Sequence, residues 1–212
     1  MTLQGKRILL GMTGGVAAFK SCELARRLGR AGADVRVVMT EAATRFVTPV
    51  TMQALTGQVA WTDLWDARVP DNMGHIELSR DRDLIVVAPA TADFMAKVAH
   101  GLADDLLSNM VLARRCPLLL APAMNVEMWE NPATQRNVRT LRGDGVLFAG
   151  PVAGDQACGE TGHGRMLEAE QIAEEVEAAL QPKLLAGRRV LVTAGPTEEP
   201  IDPVRVITNS SS

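Results

Sequence analysis

Asn125 stands just past an apolar run, Cys116-Pro-Leu-Leu-Leu-Ala-Pro-Ala123, at the start of Met124-Asn-Val-Glu-Met-Trp129. The run does not alternate, which suits a strand covered on both faces. In open α/β sheets ligands bind beyond the carboxyl ends of the strands. An amide there offers N–H donors and a carbonyl acceptor to a small polar substrate. His75, in Met73-Gly-His-Ile-Glu-Leu78, precedes a second buried strand and follows a loop long enough to fold over a pocket. A lone histidine is more often a surface or capping residue than a catalyst; its placement gives this one weight. Cys158 lies in Gln156-Ala-Cys-Gly-Glu-Thr-Gly-His-Gly-Arg-Met166. The glycines suit a flap that closes over a ligand. An unperturbed thiol has a pKa of about 8.5, so it is mostly protonated at neutral pH and can donate a proton, or act as a nucleophile. The competing reading is a surface loop with an incidental cysteine. Cys22 and Cys116 fall in helix and strand patterns as packing residues, and His100 falls on a helix pattern as a structural one.

A second group of residues suits a phosphate. Thr13, Gly14 and Gly15 follow the first strand pattern. Glycines let a backbone approach an anion, and the N-terminus of the following helix favours it. The spacing is neither G-x-G-x-x-G nor a Walker loop. The second strand ends in Thr40 rather than in an acid. An acid would favour a dinucleotide ribose; a hydroxyl better suits another phosphate contact. Thr91 and Ala92, in Pro89-Ala-Thr-Ala92, bring a hydroxyl and a further helix start to the same sheet edge.

The elements that must position these groups alternate along the chain. Strand patterns cover Arg7 to Met12, Ala33 to Met39, Asp83 to Ala88, Leu118 to Ala121 and Val146 to Ala149, with a short one near Val59 to Trp61. Helix patterns cover Val16 to Leu28, part of Glu41 to Leu55, Ala92 to His100, Asp104 to Arg114, Pro132 to Leu141 and Glu168 to Leu180. His75 to Arg80 reads as one helical turn. Asn131 and Pro132 fit the N-cap and first position of their helix. Gly150 to Arg165 is Gly-rich and reads as irregular. This alternation predicts an α/β fold, a Rossmann-like (flavodoxin-like) parallel sheet with helices on both faces. Pro182 to Gly187 reads as a linker. Arg188-Arg-Val-Leu-Val-Thr-Ala-Gly195 opens another strand and glycine turn, the first element of a second domain.

Composition sets bounds. The 212 residues carry a formal charge of −3, with 47% hydrophobic and 22% charged residues. Acids and bases are interspersed without a basic stripe, which argues against nucleic acid. The three cysteines have no paired spacing for a disulfide framework or a zinc site and fit a reducing compartment. No apolar run is long enough to span a bilayer, and the first one is cut by Gly14-Gly15 unlike a signal peptide. The expectation is a cytoplasmic protein without a membrane or metal partner.

In family order, the glycine turn, Met73-Gly-His-Ile-Glu-Leu78, Pro122-Ala-Met-Asn-Val-Glu-Met-Trp129 and Ala157-Cys-Gly-Glu-Thr-Gly-His-Gly-Arg-Met166 resemble the flavin-dependent cysteine decarboxylases. The resemblance runs from Lys6 to about Leu180 and is strongest to the branch in coenzyme A biosynthesis, where a decarboxylase half precedes a ligase half. It implies a decarboxylase domain over 1–181, a linker over 182–187, and the opening of the ligase domain over 188–212, truncated and so without ligase activity. It implies bound FMN and conversion of 4′-phosphopantothenoylcysteine to 4′-phosphopantetheine. Asn125 would hold the substrate carboxylate, with Met124 and Ala157 also contacting substrate. His75 would assist the oxidative decarboxylation, and Cys158 would protonate the enethiolate. Thr13, Gly14, Gly15, Thr40, Thr91 and Ala92 would cradle the FMN phosphate and ribityl chain. Family members form trimers, often grouped into dodecamers. The rival readings are a flavin prenyltransferase-like enzyme, a nicotinamide oxidoreductase, which the glycine spacing disfavours, and a non-catalytic regulatory subunit of the same fold.

Overall fold

A computed structural model describes residues 2–66, 74–155, 159–184, 187–192, 195 and 198–208. The chain divides into two units, Met1–Gln181 and Pro182–Ser212.

The first unit opens with β1 (Arg7–Met12), α1 (Ala18–Arg30) and β2 (Asp34–Met39). Then come α2 (Glu41–Thr44), α3 (Pro49–Thr56), β3 (Ala60–Trp61) and α4 (Gly74–Ser79). Pro49 starts α3 rather than breaking a longer helix, its missing N–H falling where no intrahelical bond is due. The chain continues through β4 (Leu84–Ala90), α5 (Ala92–His100), α6 (Leu106–Leu112) and β5 (Leu118–Pro122). It ends with α7 (Val126–Glu130), α8 (Pro132–Gly143), β6 (Leu147–Phe148), β7 (Val152–Asp155), β8 (Thr161–Arg165) and α9 (Ala169–Leu180).

β1 to β6 form one sheet in the order β3-β2-β1-β4-β5-β6, every neighbouring pair parallel. This is the doubly wound order expected of a Rossmann-like sheet. Leaving out the two-residue edge strand β3 and renumbering turns it into the 2-1-3-4-5 order of flavodoxin, so both descriptors apply. Along β1 successive apolar residues serve opposite faces: Ile8, Leu10 and Met12 pack with Leu24 and Leu28 of α1 and Ile172 and Val176 of α9. Leu9 packs instead with Phe94, Met110 and Leu141 from α5, α6 and α8. Both faces are thus buried, which is why the strand patterns lack alternation. Each helix meets the sheet through one stripe; in α1 it is Ala18, Ser21, the adjacent pair Leu24 and Ala25, and Leu28, one step every three or four residues.

Two elements differ from expectation. The Gly-rich segment expected to be irregular contains an antiparallel pair, β7 with β8, in which Gly154 faces Gly162 and Asp155 faces Thr161. α7 was not expected at all; five residues are too few to show a helical period. The second unit contains β9 (Glu198–Pro200) and β10 (Val206–Thr208), paired antiparallel. Asp202, between them, accepts from the N–H groups of Val204 and Arg205 at 2.9 and 2.8 Å. Among the described residues no helix is long and apolar enough to cross a membrane.

Candidate active site

The strand order reverses between β1 and β4, so their carboxyl ends part and leave a crevice. One hydroxyl spans its floor. Thr13 Oγ1 donates to the Pro89 carbonyl at 2.7 Å and accepts from the Thr91 N–H at 3.1 Å. Thr13 is buried, and its donor hydrogen is spent on this link. Gly14 follows under α2. A Cβ on Gly14 would lie 2.4 Å from the Ala42 Cβ, so no side chain fits there. Gly15 is less confined, since its Cβ would meet only the Thr91 methyl at 3.9 Å.

The strand-end polar residues share one local job. Thr40 accepts from the Ala43 N–H at 3.2 Å, Thr91 from the Phe94 N–H at 3.3 Å, and Asn125 Oδ1 from the Met128 N–H at 3.0 Å. Each is the N-cap of the helix that follows its strand. An N-cap oxygen satisfies one orphan N–H of the first turn. A threonine that accepts in this way keeps its own O–H free to donate to a ligand. The helix starts at Thr40 and Thr91 also turn positive dipole ends toward the crevice. Asn125 uses one donor within the helix, Nδ2 to Glu127 Oε2 at 2.7 Å.

The crevice holds a cavity of about 720 Å³, within the size range of small-molecule and cofactor sites. Thr13, Gly14, Thr40, Thr91 and Ala92 line one part of it. Met128, one turn beyond Asn125, also lines it; among the described lining residues neither Gly15 nor Asn125 appears. Charged residues also line it, Glu41, Arg45, Asp93, Lys97, Asp104 and Asp105, together with Ala42 and Phe94. Lys97 Nζ lies 3.0 Å from Asp104, 3.5 Å from Asp93 and 3.7 Å from Asp105. Partial burial disfavours its charge, but the Asp104 hydrogen bond and the surrounding carboxylates outweigh that and raise its pKa. The same hydrogen bond lowers the Asp104 carboxyl. Sequence reasoning missed this cluster, although Asp93 and Lys97 sit at helical i, i+4 spacing and Asp104-Asp105 precedes a helix. The cavity thus combines uncharged donors at the helix starts with both acidic and basic side chains.

The β7–β8 pair is tied down at its base. The Met124 N–H donates to the Gly164 carbonyl at 3.0 Å. Lys20 Nζ donates to the Met166 carbonyl at 3.0 Å and to Glu168 Oε1 at 2.8 Å. Arg165 reaches the same Glu168 oxygen at 2.8 Å. Lys20, and then Arg165, hold the Glu168 carboxyl below the ordinary carboxylate range against a smaller opposing effect of burial. Met124 itself is partly buried against the second core cluster.

Ala157 and Cys158 fall in the connection between β7 and β8, outside the described residues. His75 lies in α4, and its side chain is likewise outside the description. The other two cysteines are partly buried. Cys22 Sγ sits 3.8 Å from Met52 Sδ, and burial raises both thiols' pKa values.

Residues 1–181 match the flavoprotein family, and residues 185–212 match the DNA/pantothenate metabolism flavoprotein C-terminal domain. The chain belongs to the flavoprotein family. This flavoprotein is 53% identical over 211 residues to the coenzyme A biosynthesis bifunctional protein CoaBC of Vibrio cholerae, covering 100% of this chain and 53% of the relative. It thus spans about half the length of the curated relatives it matches. Its fold is similar to a cysteine-to-serine mutant of a PPC decarboxylase complexed with pantothenoylaminoethenethiol, with a TM-score of 0.73 and 34% identity over 82% of this chain and 97% of that one. It is equally similar to the FMN-dependent cysteine decarboxylase SpaF, with a TM-score of 0.72 and 34% identity over 84% and 97% of the two chains.

Proposed function

We propose that this flavoprotein binds FMN in the crevice between β1 and β4 and decarboxylates 4′-phosphopantothenoylcysteine to 4′-phosphopantetheine. The observation that carries the reading is the likeness to a PPC decarboxylase over almost all of that enzyme's length. The crevice supports it, because its residues fit the cofactor. Gly14 lines the crevice, and its missing side chain lets α2 pack against the turn. Thr40 and Thr91 keep free O–H donors, and the first-turn N–H groups of Ala92 and Asp93 point out of α5 without an intrahelical acceptor. When bound, FMN supplies the oxidation and re-reduction of the substrate's thiol carbon that makes loss of CO2 feasible.

The protein's own groups then bind and move protons. Asn125 exchanges its Glu127 contact for the substrate carboxylate and orients that group for cleavage, with Met124 and Ala157 beside the substrate. His75 acts toward the substrate as a base or as a fixed dipole. Decarboxylation of a thioaldehyde leaves an enethiolate, and Cys158 gives it the final proton. The solved complex of a cysteine-to-serine PPC decarboxylase with an enethiol accords with this role, because a missing proton donor would leave that species behind.

The protein works as a homo-oligomer, a trimer or a dodecamer built from trimers, in the cytoplasm. Val16, Phe19, Phe46 and Val50 are exposed apolar residues close in sequence to the glycine turn and to Arg45 of the cavity, and a second copy would cover them. Residues 1–181 form the decarboxylase domain, 182–187 the linker, and 188–212 the start of the ligase domain.

The test is a visible spectrum of the purified protein followed by mass analysis of products from 4′-phosphopantothenoylcysteine. Flavin absorption and 4′-phosphopantetheine with CO2 are expected. A colourless protein that cannot be reconstituted with FMN, or unchanged substrate, overturns the reading.

A further inference from the structure

We infer that Gly162 is a positioning residue: lacking a side chain, it lets β8 close on Val126 and so sets where α7 holds Asn125. The inference rests on the role proposed for Asn125. α7 has five residues, none of them fully buried; Trp129 packs partly against the second core cluster at the helix's far end, which leaves the Asn125 end to be placed by its neighbours. β8 and α8 are what it packs against. A Cβ on Gly162 would lie 2.7 Å from Val126 Cγ2 and 3.1 Å from the Val126 Cβ. Real Cβ atoms do not approach that closely, so something would have to give. The backbone of Gly162 does not itself demand glycine, because its φ is outside the left-handed region. The space does.

What gives is decided by what is anchored. β8 is held independently of α7, because Lys20 binds the Met166 carbonyl just after the strand and shares Glu168 with Arg165. Met166 and Leu167 are buried in the first core cluster. A change of rotamer at Val126 does not remove the clash, because the 3.1 Å contact is to its Cβ, which rotation about χ1 leaves in place. The displacement therefore falls on α7. Asn125 is the residue before Val126 and caps the same helix through the Met128 N–H, so the amide moves with it.

The experiment compares the FMN-loaded full chain with Gly162→Ala, Val126→Ala and the double variant. Two readouts are taken: hydrogen exchange at the α7 amides of Met128 and Trp129, and kcat/KM for CO2 release from 4′-phosphopantothenoylcysteine. Gly162→Ala is expected to speed the exchange and to lower kcat/KM by on the order of 10²-fold, the cost of an ångström-scale misplacement. The visible flavin spectrum should not change. Val126→Ala alone should stay close to the parent, and the double variant should regain most of the loss on both readouts. An unchanged Gly162→Ala, or a double variant no better than it, overturns the inference. Should the parent release no CO2, the proposed function fails by itself. The exchange data then still decide whether Gly162 seats α7.

Discussion

Thr13 and Thr91, the residues that follow the two central strands, are joined by a hydrogen bond of 3.1 Å from the Thr91 N–H to Thr13 Oγ1, while that same hydroxyl donates to Pro89. The cap of α5 is thereby fixed to the glycine turn across the crevice. Thr13→Val leaves the Thr91 N–H without its acceptor and weakens the satisfaction of the Pro89 carbonyl. A loss of about 1–3 kcal/mol is expected in urea unfolding, with weaker retention of FMN. Thr13→Ser keeps the hydroxyl and should behave like the parent; equal damage from both variants would count against the bridge.

Thr91 separates structural from ligand roles, because aspartate is as good an N-cap as threonine. Thr91→Ala should cost about 0.5–2 kcal/mol through loss of the cap. Thr91→Asp should keep the unfolding midpoint yet bind FMN more weakly, since a carboxylate would face the phosphate. Fluorescence titration of FMN reads the difference. Parent-like affinity in Thr91→Asp would place the phosphate elsewhere.

How much of this was legible depends on range along the chain. The strands of the sheet could be read from residues a few positions apart, and so could the threonines and the asparagine at their ends. The capping role of Asn125 went unread because α7 is too short to announce itself. The Thr13 to Pro89 link spans 76 residues, and no local pattern encodes it. The β7–β8 pair was hidden by its glycines, which depress strand propensity. One of them is there for space: a Cβ at Gly162 would lie 2.7 Å from Val126 Cγ2. Glycine content alone could not distinguish close approach from looseness.

Asn125→Asp preserves the cap of α7 and changes only the charge presented beyond it. It also sets a second carboxylate against Glu127, whose Oε2 now accepts from Asn125 at 2.7 Å. Like charges brought together in a site cost several kcal/mol, so CO2 release should fall by on the order of 10²-fold. The fold and FMN spectrum should be retained. Unchanged kinetics would remove Asn125 from the substrate carboxylate.

Glu168 predicts a pH dependence at the base of β8. Its carboxyl lies below the ordinary glutamate value of 4.5 because Lys20 and Arg165 stabilise the charged form. The native state thus binds the proton less readily than the unfolded chain. The resulting stabilisation is complete above that ordinary value and is lost as pH falls through the depressed one. For a side chain so exposed it amounts to less than about 1 kcal/mol. Unfolding midpoints of Glu168→Gln should match the parent at low pH and lie slightly below it at neutral pH. A constant difference across the range would show that the two bridges contribute nothing that titrates.

Cys158→Ser tests the last proton. A serine hydroxyl is a far weaker acid than a thiol, so it supplies no proton on the timescale of turnover, whereas loss of CO2 precedes that step and needs no acid there. The variant should release CO2 close to the parental rate in a single turnover. Its product should be the oxidised enethiol, lacking the hydrogens that the final reduction adds. Mass analysis separates the two products and the CO2 assay dates the block. Full conversion to 4′-phosphopantetheine would assign the proton to another donor. Loss of CO2 release would instead place Cys158 in the earlier chemistry, alongside His75 and Asn125.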